Sequence, residues 1–129
     1  EIRYEAQAAM ELEAWAQRAG EVEAWEVGAW DLGGLWRALD ADRGELAARA
    51  RRFHATLARW TSETASELAE QEGVETVVLG GGVFQNVLLL GMVREQLEAK
   101  GLRVLSPRAL PPNDGGLALG QLYLAALTA

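Results

Sequence analysis

Apolar positions along the chain follow two rhythms, a helical spacing of three and four and short unbroken β-branched runs. Ala8, Leu12, Trp15 and Ala19 place one apolar face on a helix over Glu5–Ala19, with Gly20 as its stop. Glu21–Gly34 is less regular. Alternation of Val22, Ala24 and Glu26 with Glu23, Trp25 and Val27 predicts a short strand there. Trp30, Leu32 and Leu35 predict a short element leading into a helix that ends near Asp40–Asp42. The longest pattern is Glu45–Gln71, where Leu46, Ala50, Phe53, Leu57, Trp60 and Thr64 form one buried stripe closed by Gly73. Thr76–Leu79 reads as a buried strand, Phe84–Lys100 as a helix stopped by Gly101, and Leu102–Leu105 as a second strand. A loop with three prolines, Ser106–Asp114, precedes a final apolar helix over Gly115–Leu127.

Strand, glycine loop, helix and strand make a βαβ unit, so the two strands are predicted parallel with a right-handed crossover. The chain therefore reads as an α/β lobe with a small, partly parallel sheet and several helices. So few strands leave a sheet edge in need of a partner. Glu1 opens the chain in place of methionine, and the expectation is a piece of a longer protein.

Composition narrows the function classes. The 129 residues fit one domain or one lobe, and half are hydrophobic. Twelve basic against nineteen acidic residues give a net charge of -7, which disfavours nucleic acid as a partner. With no cysteine there is no disulfide, thiolate metal site or thiol nucleophile. No apolar stretch approaches a membrane span and no secretory signal opens the chain, so the expected location is cytoplasmic. Trp15 and Trp60 lie on apolar helix faces and read as core. Trp25, Trp30 and Trp36 are candidates for a surface that packs on further parts of a larger protein. Arg49, Arg51 and Arg52 cannot share one helix face and read as a solvated, ion-paired surface. His54 reads as a helix histidine bonded to a neighbouring element rather than an acid–base catalyst.

Two glycine-rich corners carry the candidate chemistry. Gly80, Gly81 and Gly82 follow the first strand, where ligands sit in open α/β sheets. Glycine lets backbone approach a ligand, and the next helix start favours a phosphate or ribose-phosphate. Asn86 adds a donor and an acceptor suited to a nucleobase or sugar. The spacing is neither a P-loop nor a dinucleotide fingerprint, so a plain turn is an equal alternative. After the second strand, "PPNDGGLALGQ" places Asp114 and Gly115 on the same sheet edge. Asp114 is either a helix N-cap or a carboxylate facing a shared cleft, able to hold a metal ion.

Taken together, "GGGVFQNVLLL", "PPNDGGLALGQ", "YEAQAAMELEAWA" and "ARRFHATLA" resemble, in order, the carboxy-terminal part of HypF, the carbamoyltransferase family of [NiFe]-hydrogenase maturation. Two positions depart from the pattern: Gly80 stands where the family has serine, and Ala6 where it has glycine.

The resemblance implies the second lobe of an actin-like ATPase domain, of the sugar-kinase and Hsp70 type with RNase H-like lobes, over residues 1–129. It implies an enzyme that takes carbamoyl-adenylate, made from carbamoyl phosphate and ATP by another domain. The carbamoyl group passes to the carboxy-terminal cysteine of a HypE partner, on the way to the cyanide ligand of iron. Gly80, Gly81, Gly82, Asn86 and Gly115 then belong to the nucleotide-binding loops, with Gln7 and Glu11 near the ribose. Asp114 matches a ligand of a divalent metal (iron, zinc or magnesium) whose other ligands are histidines of the first lobe. The expected cofactors are ATP or AMP and that metal. The expected partners are the HypE-like acceptor and the remaining domains of the same protein, without which this piece turns over nothing. The alternatives are an O-carbamoyl- or tRNA threonylcarbamoyl-transferase lobe and a non-catalytic interaction module.

Overall fold

A computed structural model describes residues 2–128. Its elements are α1 (Gln7–Ala16), α2 (Leu32–Ala41), α3 (Leu46–Glu72), β1 (Thr76–Val78), α4 (Val87–Ala99), β2 (Arg103–Leu105) and α5 (Leu117–Thr128). Short 3-10 turns at Gly82–Gln85 and Asp114–Gly116 precede α4 and α5. The strands are parallel, with Thr76 beside Arg103, Val77 beside Val104 and Val78 beside Leu105.

The long helix α3 is the frame, packing on α4 and α1 and touching β1. Leu89, Val93 and Leu97 recur every four residues along α4 and meet Ala58 of α3 and Leu79 at the end of β1. Alanine at 58 keeps the helix surface low, so the branched side chains of α4 seat against it. Two of the predicted stripe residues, Ala50 and Trp60, are fully buried. The single stripe is nonetheless too narrow. His54, Thr56, Ala58, Ser62 and Ala69 are buried as well, because neighbours cover α3 on more than one side. Buried hydroxyls find partners, as where Ser62 donates to Gln96 of α4 at 2.6 Å.

The strands are half-covered rather than buried. Val77 and Val104 face α3 and α4, while Thr76, Val78, Arg103 and Leu105 are exposed. Alternation of period two sends every second side chain to the uncovered face.

The predicted strand around Val22–Val27 does not form. Side chains of α3 and its neighbours take the hydrogen bonds that a strand partner would offer. Trp25 N–H donates to Thr56 Oγ1 (3.0 Å), and Arg59 donates to the carbonyls of Trp25 (2.8 Å) and Val27 (3.1 Å). The indole of Trp25 donates to Asp42 (3.2 Å). Asp42 also accepts from Gly44 N–H at 2.7 Å and pairs with Arg52. The Gly44 bond, helped by Trp25 and Arg52 and opposed by burial, holds the Asp42 carboxyl below the usual carboxylate range.

Two expectations about side chains change. Trp15 is 39 % exposed rather than core, with the Arg18 guanidinium 4.3 Å above its ring. α1 turns Ala16 inward instead, one position round the helix. The arginine knot is half-buried, not solvated. Arg52 is ion-paired as expected, but Arg49 donates to the Leu39 carbonyl and so ties α3 to the end of α2. Of the three uncertain tryptophans, Trp36 is exposed, Trp25 is half-buried, and Trp30 leans on Trp60 at 5.7 Å.

Helix α5 buries none of its side chains, and Leu122, Tyr123, Leu124 and Leu127 stand exposed. No helix among the described residues is long and apolar enough to cross a membrane.

Candidate functional site: the glycine corners

Both glycine-rich corners leave the same edge of the sheet and meet there. Gly81 N–H donates to the Pro112 carbonyl at 2.7 Å, tying the loop after β1 to the loop after β2. Of the three glycines only Gly81 has a positive φ, with φ 95° and ψ 163°. That region is closed to residues carrying a Cβ. Gly80 has open space around it and no such φ, so the serine of the family pattern fits there without strain. At Gly115 a Cβ would lie 2.9 Å from Pro111 Cγ and 3.1 Å from Asn113 Oδ1. Glycine there is a close-approach requirement.

The loop separates two hollows. One, of about 290 Å³, lies between α1 and the loop and is walled by Ala6, Ala9, Met10 and Glu13 on one side and Gly82, Val83, Gln85 and Asn86 on the other. The second, of about 430 Å³, is bounded by Gly81, Asn113, Asp114 and the first turns of α5.

Helix α4 begins at Val87, later than the Phe84 start read from the sequence, because a 3-10 turn intervenes. Asn86 is therefore its N-cap. Its Oδ1 accepts from Leu89 N–H at 2.8 Å, and its Nδ2 lies 2.8 Å from His54 Nε2. Leu88 N–H donates to Glu13 Oε1 at 3.2 Å. Of the first-turn donors of α4, those of Leu88, Leu89 and Leu90 are thus engaged within the chain, while that of Val87 has no acceptor among the described residues. Among the described residues, the N–H groups of Gly82 and Val83 have no acceptor and border the first hollow. The unengaged donors that border this hollow belong to the loop.

The remaining sequence candidates sort by helical phase. Ala6, Ala9, Met10 and Glu13 step by three, one and three, and so share the face turned to the loop. Gln7 and Glu11 lie on the adjoining face, bonded to one another at 2.7 Å, and do not wall the hollow. Glu13, absent from the sequence candidates, does. The signal for it was its phase relative to Ala6.

Ala6 has φ 61°, a left-handed conformation, where the family pattern has glycine. The departure is therefore a backbone matter as well as a methyl beside the hollow. Alanine there costs about 1–2 kcal/mol. The Ala6→Gly variant is expected to recover roughly half or more of that, a rise of a few degrees in thermal midpoint by calorimetry. An unchanged or lower midpoint would show that the turn before α1 does not hold its conformation.

Asp114 borders the second hollow and is exposed. The cap at that turn is Asn113, whose Oδ1 accepts from Gly115 N–H at 3.1 Å, so the N-cap reading of Asp114 is set aside. No group of three or more His, Cys, Asp or Glu able to hold a metal exists among the described residues. Asp114 offers one carboxylate, against the three protein ligands that catalytic metals usually take. The residues present do not fit a metal by themselves.

Residues 1–121 match the family described as "Carbamoyltransferase, Kae1-like Domain, second subdomain". The chain belongs to the HypF carbamoyltransferase family. It is 48% identical over 100 residues to carbamoyltransferase HypF2 of Cupriavidus necator, covering 74% of this chain and 12% of that protein. It is 39% identical over 137 residues to a HypF homolog of the same organism, covering 95% of this chain and 35% of the relative. Against HypF of Rhodobacter capsulatus the identity is 42% over 126 residues, covering 95% of this chain and 16% of that one. The backbone matches full-length HypF solved in its phosphate- and nucleotide-bound form, with a TM-score of 0.85 and 33% identity over 97% of this chain and 18% of that one. HypF of T. kodakarensis matches with a TM-score of 0.83 and 29% identity, over 99% of this chain and 18% of that structure. The chain thus spans between about a tenth and a third of the lengths of these relatives. The α/β fold is that of the second subdomain of the HypF Kae1-like domain.

Proposed function

We propose that this chain supplies the glycine-loop half of a nucleotide cleft that holds carbamoyl-adenylate in a HypF carbamoyltransferase. The observation that carries the reading is the first hollow. Two unengaged backbone donors, Gly82 and Val83 N–H, lie on its loop side, and the Glu13 carboxylate lies on its helix side. Such donors suit phosphate oxygens, and a carboxylate accepts from ribose hydroxyls while repelling phosphate. A nucleotide is thereby oriented phosphate to loop and sugar to α1. At about 290 Å³ the hollow is at the low end of the roughly 300–1,000 Å³ of ligand pockets, as one wall of a cleft would be.

The transfer asks little covalent chemistry of this wall. The thiolate of a cysteine on a HypE-like acceptor attacks the carbamoyl carbon. An S–C bond forms, the C–O bond to the phosphate breaks, and AMP leaves with the electron pair. Backbone donors stabilise the charge gathering on the leaving phosphate. A cysteine of the chain's own is not needed. A divalent metal, if bound by the whole protein, would supply further neutralisation of phosphate charge. Asp114 would be this chain's single ligand to it. The acidic balance of -7 and the HypF relatives favour a protein acceptor over the tRNA alternative. The apolar face of α5 fits burial against other parts of the same protein.

Calorimetric titration with AMP tests the reading. Binding is expected in the range of roughly a millimolar dissociation constant, about 4 kcal/mol. Ala9→Phe fills the hollow from an exposed helix position and is expected to abolish it, while Ala14→Phe, outside the hollow, leaves it intact. AMP binding that ignores Ala9→Phe would place the nucleotide elsewhere.

A further inference from the structure

His54 is 3 % exposed on α3, within 2.8 Å of Asn86 Nδ2 on one side and 2.8 Å of the Ala50 carbonyl on the other. Donor and acceptor identities fix this chain of contacts without ambiguity. Leu89 N–H is only a donor, so the Asn86 group facing it is the oxygen. The nitrogen of that carboxamide therefore faces His54 and donates. His54 Nε2 must accept, which leaves its proton on Nδ1, and the Ala50 carbonyl is there to receive it. One hydrogen of the Asn86 amide remains, on a residue that borders the first hollow.

We infer that His54 is a positioning residue of the loop. Its Nε2 lone pair holds the Asn86 carboxamide with the oxygen on α4, and with the spare N–H available to a ligand acceptor in the hollow. A free asparagine has two amide orientations, and only one of them caps α4. His54 removes the other, because a reversed amide would set two acceptors face to face. The same bond fixes the join between α3, the frame of the fold, and the residue that ends the glycine loop. As far as the ligand is a nucleotide, the inference rests on the function proposed above; the His54–Asn86 coupling does not.

The test combines imidazole nitrogen spectroscopy with AMP titration on this chain. At mildly alkaline pH, two-bond nitrogen–proton correlations of His54 are expected to show the proton on Nδ1, the less common tautomer in solution. His54→Leu removes the acceptor and is expected to move the Asn86 side-chain amide signals and weaken AMP binding about tenfold, the loss of roughly one buried hydrogen bond. His54→Gln restores an acceptor at that end and is expected to keep affinity within about threefold. A wild-type proton on Nε2 overturns the inference. So does AMP affinity unchanged in His54→Leu. Should the wild type not bind AMP, the nucleotide reading falls and the imidazole spectrum alone decides the coupling. Should His54→Leu fail to fold, the wild-type spectrum and His54→Gln decide.

Discussion

Trp60→Ala is expected to cost about 3–5 kcal/mol, a large share of the roughly 5–15 kcal/mol that holds a domain folded. Trp60 is the largest fully buried side chain and lies near the middle of α3. Its ring is 5.7 Å from that of Trp30 at 44°, and Trp30 is pinned by its indole N–H to Thr64 at 2.8 Å. Removing the Trp60 ring opens a cavity beside Trp30. The indole N–H of Trp60 has no partner in the fold, and an unpaired buried donor costs about 1–3 kcal/mol. Trp60→Phe is therefore expected to lose far less than Trp60→Ala, since it keeps most of the ring and deletes that donor. Urea unfolding followed by far-ultraviolet circular dichroism measures both. A loss below about 1 kcal/mol in Trp60→Ala would show that α3 is not the frame of the fold.

Gly81→Ala is the second large effect. Its φ of 95° and ψ of 163° lie where a Cβ costs about 1–3 kcal/mol in backbone strain. A Cβ at Gly81 meets nothing within 4 Å, so the cost is conformational and no repacking relieves it. The backbone is expected to relax toward negative φ, break the bond to the Pro112 carbonyl and turn the Gly82 and Val83 donors away from the hollow. Thermal unfolding should drop by roughly 4–10 °C, and AMP binding by tenfold or more. Gly80→Ala is the control, with equal space and no positive φ, and is expected to change neither measurement appreciably. Equal behaviour of the two variants would mean that the loop conformation does not matter to the ligand.

The two corners were legible before the fold was known, because parallel strands place both carboxyl ends on one edge. Their convergence follows from Thr76–Leu79, Leu102–Leu105 and the glycines after the first strand. The bland reading of His54 held in kind, as it is bonded to a neighbouring element. Its partner, the candidate Asn86, was out of reach of sequence spacing. Trp15 and the strand at Val22–Val27 misled for one reason. Local alternation records which residues can be buried, while actual burial depends on which faces α3 offers. Arg59 and Thr56 engage the backbone of Trp25 and Val27 in place of a strand partner. Glu13 rather than Gln7 or Glu11 walls the first hollow, because α1 turns Ala16 inward and so sets which of its faces meets the loop.

Sequence alone determined the helices, the two paired strands, the two glycine corners and the family, since these rest on local propensity and on contiguous motifs. Tertiary structure decided which polar groups are spent and which are free. The bonds that settle this join residues 32 apart, His54 with Asn86, and 75 apart, Glu13 with Leu88. No local pattern encodes such pairings. They exist only once α3 has brought α1 and α4 together, and they engage the donors of Leu88 and Leu89 while those of Gly82 and Val83 have no acceptor among the described residues.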